Sequence, residues 1–121
     1  MASAVESAVD TYIRAASERD SAVRAALLEK CFALDGRVVA RSREIRGRAA
    51  LAQELERLVA DPEFVRVRVT SAVDARGTTF RFRSAVDRRD GTVLEFFDAG
   101  EIDAAGRIAL ILVFAGPLGE P

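Results

Sequence analysis

The stretch Thr92 to Ala115, TVLEFFDAGEIDAAGRIALILVFA, decides the reading of the chain. It predicts two long strands joined by a short loop that turns at Gly106. Along the first strand, Leu94, Phe96, Asp98 and Ile102 share one face, with Glu95, Phe97 and Glu101 on the other. The second strand, Ile108 to Phe114, is apolar on both faces, which predicts cover on both sides. Asp98 is the informative residue, because it is an ionisable group among Leu, Phe and Ile.

Working back from this stretch, Thr78 to Asp87 alternates as a strand, with Phe80, Phe82, Ser84 and Val86 on the inner face. Phe64 to Asp74 alternates too, and reads as a single strand. Asp90-Gly91 is a hairpin signal between the strands on either side of it. Asp61-Pro62 ends a helix over Arg48 to Ala60, because proline disfavours helical geometry in the residue before it. Arg37 to Arg41 and Arg43 to Arg46 read as a hairpin preceded by a turn at Asp35-Gly36.

Two helices open the chain. The first follows a capping box, Ser3 with Glu6, and carries Val5, Val9, Tyr12, Ile13 and Ala16 at helical spacing up to about Glu18. The second runs from Ser21 to Phe32 behind the N-cap Asp20, with Val23, Leu27 and Cys31 on one face. Helix, helix, hairpin, helix and then a meander of strands is an α+β order, with three N-terminal-half helices on one side of a curved, mostly antiparallel sheet. The 121 residues suit a single domain, 1–121.

Composition narrows the chemistry. A net charge of −1 gives no global field toward nucleic acid or membrane. Histidine is absent and there is a single cysteine, so no metal site or cofactor is expected and a catalytic thiol would lack its usual base. One cysteine cannot form an intramolecular disulfide and fits a reducing cytoplasm. The arginines of the strands lack interleaved aromatics, so an ion-pair lattice is the better reading than a nucleic-acid platform.

Three local patterns carry a resemblance. They are Cys31-Phe32-Ala33-Leu34-Asp35 after Tyr12 and Asp20; Ile45-Arg46-Gly47-Arg48-Ala49-Ala50-Leu51; and Asp98 followed by Glu101-Ile102-Asp103 and Gly106-Arg107-Ile108. In this order they resemble the NTF2-like superfamily, in its SnoaL-like and ketosteroid-isomerase-like branches. The resemblance implies an NTF2-like (cystatin-like) cone that binds a small apolar or aromatic molecule, and a homodimer through the convex sheet face. It implies Asp98 and Tyr12 as the catalytic pair, with Phe82, Phe96, Leu94 and Val113 lining the ligand site. It also implies isomerase-, cyclase- or hydratase-type proton transfer, with a non-catalytic ligand-binding or dimerising module as the alternative. Ala40 falls where the isomerase keeps its base, and alanine cannot take a proton, so Asp98 would be the lone acid/base. A cavity of a few hundred Å³ in the cone would favour ligand binding, and a filled cone a structural module.

Overall fold

A computed structural model describes residues 2–121. Helix α1 spans Ala4–Ser17. Its capping box is formed: Glu6 N donates to Ser3 Oγ at 3.1 Å, and Ser3 N donates to Glu6 Oε1 at 3.5 Å. Val5, Ala8, Val9, Tyr12, Ala15 and Ala16 make the buried stripe. At the end of the helix, the Ser17 hydroxyl donates to Val67 O and accepts from Val67 N. It thereby pairs both backbone groups of one residue on an outer strand of the sheet.

Helix α2 spans Ser21–Cys31, with Asp20 accepting from Ala22 N and Val23 N. Its buried face is Arg24, Leu27, Leu28 and Cys31, whereas Val23 is 47 % exposed. The expected stripe through Val23 is therefore shifted by one residue. The cause is Arg24, 2 % exposed, whose guanidinium donates to the carbonyls of Glu18 and Arg19 and pairs with Glu56. These carbonyls follow the end of α1, where backbone acceptors lack partners within the helix. An arginine satisfied in this way can be buried.

Strand β1, Phe32–Ala40, starts directly from α2. Asp35-Gly36 is not the expected turn but part of this strand, with a register shift between Phe32 and Arg37. The glycine serves close approach, since a Cβ on Gly36 would lie 2.6 Å from the Phe32 ring. Strand β2, Arg43–Arg46, returns antiparallel to β1, and Gly47, at φ +94°, leads into α3, Arg48–Ala60.

The expected strand 64–74 is two strands, β3 (Phe64–Val69) and β4 (Asp74–Arg76), both paired with β5 (Thr79–Arg88). Between them, Arg83 N donates to Ser71 Oγ at 2.7 Å. A side-chain oxygen thus takes up a ladder donor of β5, and the chain departs from strand geometry there. Strands β6 (Val93–Ile102) and β7 (Ile108–Ala115) complete the sheet, whose order is β2-β1-β7-β6-β5-β3 with β4 also on β5. β1 and β7 pair in parallel and the other pairs are antiparallel.

The helices cover the face of the sheet that carries Val38, Ile111, Phe80 and Phe82, and these pack with Val9, Leu28 and Leu51 in the main core. The opposite, outer face carries an ion-pair lattice. Arg66 and Arg68 both meet Asp87 at 2.8 Å, which holds that carboxyl down at about 2, and Arg81 meets Asp74 at 2.8 Å. The cover expected on both faces of β7 is present on one. Ile108 and Ile111 are fully buried, while Leu110 and Leu112 are half-buried and Phe114 is exposed.

Candidate functional site

Asp98 lies in the middle of β6 and points to the helix-covered face. It sits opposite Phe82 on β5 and opposite Val113 on β7. Ala40 ends β1 one residue beyond the Val39–Leu112 pair, so the sheet row runs Ala40, Val113, Asp98, Phe82. Asp98 is 5 % exposed. Its Oδ2 accepts from Ser84 Oγ at 2.9 Å. Its Oδ1 is buried with no hydrogen-bond partner among the described residues.

The electrostatics follow from this geometry. Burial raises the Asp98 pKa to about 6, and the Ser84 bond acts against it. No cation contributes to the shift. A buried aspartate that serves only as half of an ion pair would instead need a guanidinium close by and would show a depressed pKa. Tyr12 comes from α1, buried, with its ring stacked on Phe32 at 6.4 Å between centroids. Its phenol is raised well above the usual tyrosine range, first by burial and then by the Asp98 and Cys31 charges. Tyr12 therefore stays protonated as a potential donor wherever Asp98 titrates.

The other residues expected at the site divide. Phe82 is fully buried in the main core, and Val113 packs against the edge of that core. Phe96 instead packs with Val59, Phe64 and Val86 in a second, smaller cluster. Leu94 is 46 % exposed and stands apart from Asp98. It shares the phase of Asp98 along β6 but lies four residues away, opposite Val86, where the cover of that face thins. Ser84 was legible only as an inner-face position of β5, and nothing in its own strand marked it as the partner of Asp98.

Two clefts stand out, and neither is lined by Asp98, Tyr12, Phe82 or Val113. The larger, about 670 Å³, is bordered by Arg83, Ser84, Glu95, Phe96, Phe97 and Phe114, with the segment from Gly116 to Leu118 at its rim. Arg83, Phe97 and Phe114 form one row of the outer face, while Ser84 and Phe96, the neighbouring ladder pair, carry the border to the residue that bonds Asp98. Among the described residues no group of three or more His, Cys, Asp or Glu side chains could hold a metal ion, and no helix is long and apolar enough to cross a membrane.

No protein-family model matches the chain, and no curated protein matches it. Solved structures do. A SnoaL-like family protein from Agrobacterium tumefaciens, provisionally described as an isomerase, superposes with a TM-score of 0.84 at 23% identity, over 94% of this chain and 98% of its own. An NTF2-like protein from Exiguobacterium superposes with a TM-score of 0.70 at 18% identity, over 92% and 99% of the two chains. The chain has the NTF2-like fold. A protein from Sinorhizobium meliloti provisionally described as a polyketide cyclase is similar at a TM-score of 0.70 and 23% identity, over 88% and 92% of the chains. At these identities the likeness is one of fold, and an NTF2-like fold by itself leaves the chemistry to the residues of the site.

Cys31 lies among these residues but is not equipped for catalysis. Burial pushes its thiol up to about 12, and its backbone and Arg48 oppose this only in part. Native protein is expected to react with a thiol reagent far more slowly than unfolded protein. Cys31→Ala should cost about 1 kcal/mol through a small cavity and leave ligand binding intact. Rapid labelling of the native protein would contradict this.

Proposed function

We propose that the chain binds a small, uncharged, largely apolar or aromatic molecule on the inner face of the sheet, where Asp98 acts as its single acid/base. The reaction class is isomerase-, cyclase- or hydratase-type proton transfer, with Tyr12 as a second hydrogen-bond donor and Phe82 and Val113 as apolar walls. The unpartnered Asp98 Oδ1 carries this reading. A buried acceptor without a partner destabilises a fold by about 1–3 kcal/mol, and a ligand group at that atom would relieve the cost. A carboxyl with a pKa of about 6 can either hold or release a proton near neutrality. The proteins of similar fold provisionally described as an isomerase and a cyclase agree with this class. With alanine at position 40 there is no second carboxylate in the row, so one group must both give and take the proton.

A second reading, a dimerising module without catalysis, draws on the packed inner face, where Tyr12 and Phe82 belong to the main core and Asp98 lines neither cleft. One binding experiment separates the two. 2-Acetylnaphthalene, an aromatic ketone whose oxygen can accept from a protonated carboxyl, is titrated by fluorescence at pH 5 and pH 8. The acid-site reading expects binding that weakens at pH 8 and is lost in Asp98→Leu. Equal binding by wild type and Asp98→Leu, or none by either, favours the module.

The outer face is the proposed homodimer surface. Phe97, Leu110, Leu112 and Phe114 leave an apolar stripe on it. Arg83 and Glu95, beside the stripe, form no ion pair among the described residues, unlike Arg66, Arg68 and Arg81. Arg83 and Glu95 lie diagonally on the same face of β5 and β6, and a two-fold axis passing between them would set the Arg83 of each copy against the Glu95 of the other. Arg83→Glu is expected to weaken association at least about tenfold, and adding Glu95→Arg should restore it. Light scattering that finds a monomer at micromolar wild-type concentration would remove this proposal. The buried, reduced Cys31 suits action in the cytoplasm.

A further inference from the structure

We propose that Ser84 is the positioning residue of the Asp98 site: its hydroxyl occupies Oδ2, fixes the plane of the carboxyl, and so assigns the exchangeable proton to Oδ1. This rests on the acid-site reading above and adds which oxygen performs the proton exchange and which residue selects it. Both groups are buried, Ser84 4 % exposed on β5 and Asp98 on the neighbouring β6. Ser84 pairs in register with Phe96, two residues from Asp98 on the same face, so the hydroxyl reaches the carboxyl diagonally across the ladder. The bond measures 2.9 Å.

The two carboxyl oxygens are therefore chemically unequal. Oδ2 already accepts from the Ser84 hydroxyl, and a proton placed there would oblige that hydroxyl to turn its own hydrogen away from its one side-chain partner. Oδ1 accepts nothing from the described residues. In the protonated acid, Oδ1–H is a donor with no acceptor among the described residues, and its complement is a ligand oxygen. In the carboxylate, Oδ1 is the free acceptor and the Ser84 hydroxyl holds the remaining charge on Oδ2. The same bond thus serves both halves of a proton transfer: Oδ1 gives its proton to one atom of the ligand and regains one from another atom of the same ligand, and Oδ2 never leaves Ser84. The titratable groups in electrostatic reach of the site are Tyr12 from α1 and, through it, Cys31 from α2, and burial keeps both protonated. The charge on Arg48, at the start of α3, reaches Cys31.

The test uses full-length protein and two independent readouts. The first is the titration midpoint of the Asp98 side-chain carbon by ¹³C NMR, with no ligand present. The second is the pH profile of 2-acetylnaphthalene affinity. Ser84→Ala and the near-isosteric Ser84→Cys, a weak donor, are expected to raise the Asp98 midpoint by roughly one pH unit, because the carboxylate loses a donor. They should carry the affinity profile up with it and lower ketone affinity in the protonated form about tenfold, because the carboxyl plane is released. Ser84→Thr keeps the hydroxyl and should restore both readouts. An unchanged midpoint in Ser84→Cys overturns the proposal. So does a midpoint that moves while ketone affinity at low pH does not, since the bond would then be only structural. Absence of ketone binding by wild type is a different failure: it removes the acid-site reading and with it the positioning role, whatever the midpoints do.

Discussion

Gly100→Ala is expected to destabilise the protein by about 3 kcal/mol or more, a large part of a stability that is typically about 5–15 kcal/mol. The reason is space rather than backbone freedom. A Cβ on Gly100 would lie 2.2 Å from the carbonyl oxygen of Leu110 and 2.7 Å from the Phe80 ring. The first neighbour is backbone of the paired strand and cannot rotate away. The second belongs to the packed inner face, where Phe80 stacks with Phe82 at 6.0 Å. Moving either would displace the β6–β7 ladder just before its register shift at Glu101 and Ile102. Gly106→Ala is the control. There φ is +79° and a Cβ meets nothing within 4 Å, so the cost is the local backbone term of about 1–2 kcal/mol. Urea unfolding of both variants checks the contrast. Equal losses would show that the close approach at Gly100 does not constrain the sheet.

The same two glycines show what was legible in the sequence and what was not. Gly106 announced itself, because a positive-φ turn between two strands has a local signature. Gly100 and Gly36 are required by atoms far along the chain or across the sheet, and no local pattern states that. Asp35-Gly36 was accordingly read as a turn although it runs within β1. The start of α3 behind Gly47 and its end at Asp61-Pro62 were readable because the conformational preferences of glycine and proline are local. The phase of α2 was not, because hydrophobic periodicity treats arginine as a surface residue, and Arg24 is buried by carbonyls supplied from the preceding helix end. The inner faces of β5 and β6 followed from alternation alone. The break between β3 and β4 did not, because it depends on Ser71 meeting a backbone amide twelve residues on.

The candidate site divides in the same way. Alternation put Asp98 among apolar side chains, and burial then dictates the direction of its pKa shift. Which neighbour it bonds to depends on the diagonal between Ser84 and Asp98, and that requires the register of two strands. Leu94 shares the phase of Asp98 yet not its environment, since phase names a face and says nothing of where along a strand the cover ends. Arginine has a second role here besides the outer-face pairs: Arg19, Arg24, Arg48 and Arg107 each donate to backbone carbonyls. These arginines tie the segments between elements together, so none of the four need be read as a ligand-binding group.

Asp98→Asn is expected to shift the balance of stability between mutant and wild type by about 3 kcal/mol from acid to mildly alkaline pH, in favour of the mutant. Burial, the first cause, raises the folded-state pKa of Asp98 from the ordinary 3.8 to about 6. A raised folded value means that protonation favours the fold. That contribution is complete below about pH 4 and is lost as pH rises through 6, so wild type carries a buried, uncompensated carboxylate at pH 8. Asparagine keeps the shape and one carbonyl oxygen for Ser84, and does not ionise. At pH 4 the mutant should match wild type or fall slightly below it, through its own unpartnered amide. At pH 8 it should be the more stable of the two, with any proton-transfer activity abolished at both. An aspartate held by a guanidinium would behave in the opposite sense, its mutant losing stability at neutral pH with the gap closing in acid. Urea unfolding of both proteins at pH 4, 6 and 8 measures the sign. A gap that moves toward wild type as pH rises would show that a cation pairs with Asp98 in solution, and would remove the acid on which the proposed function depends.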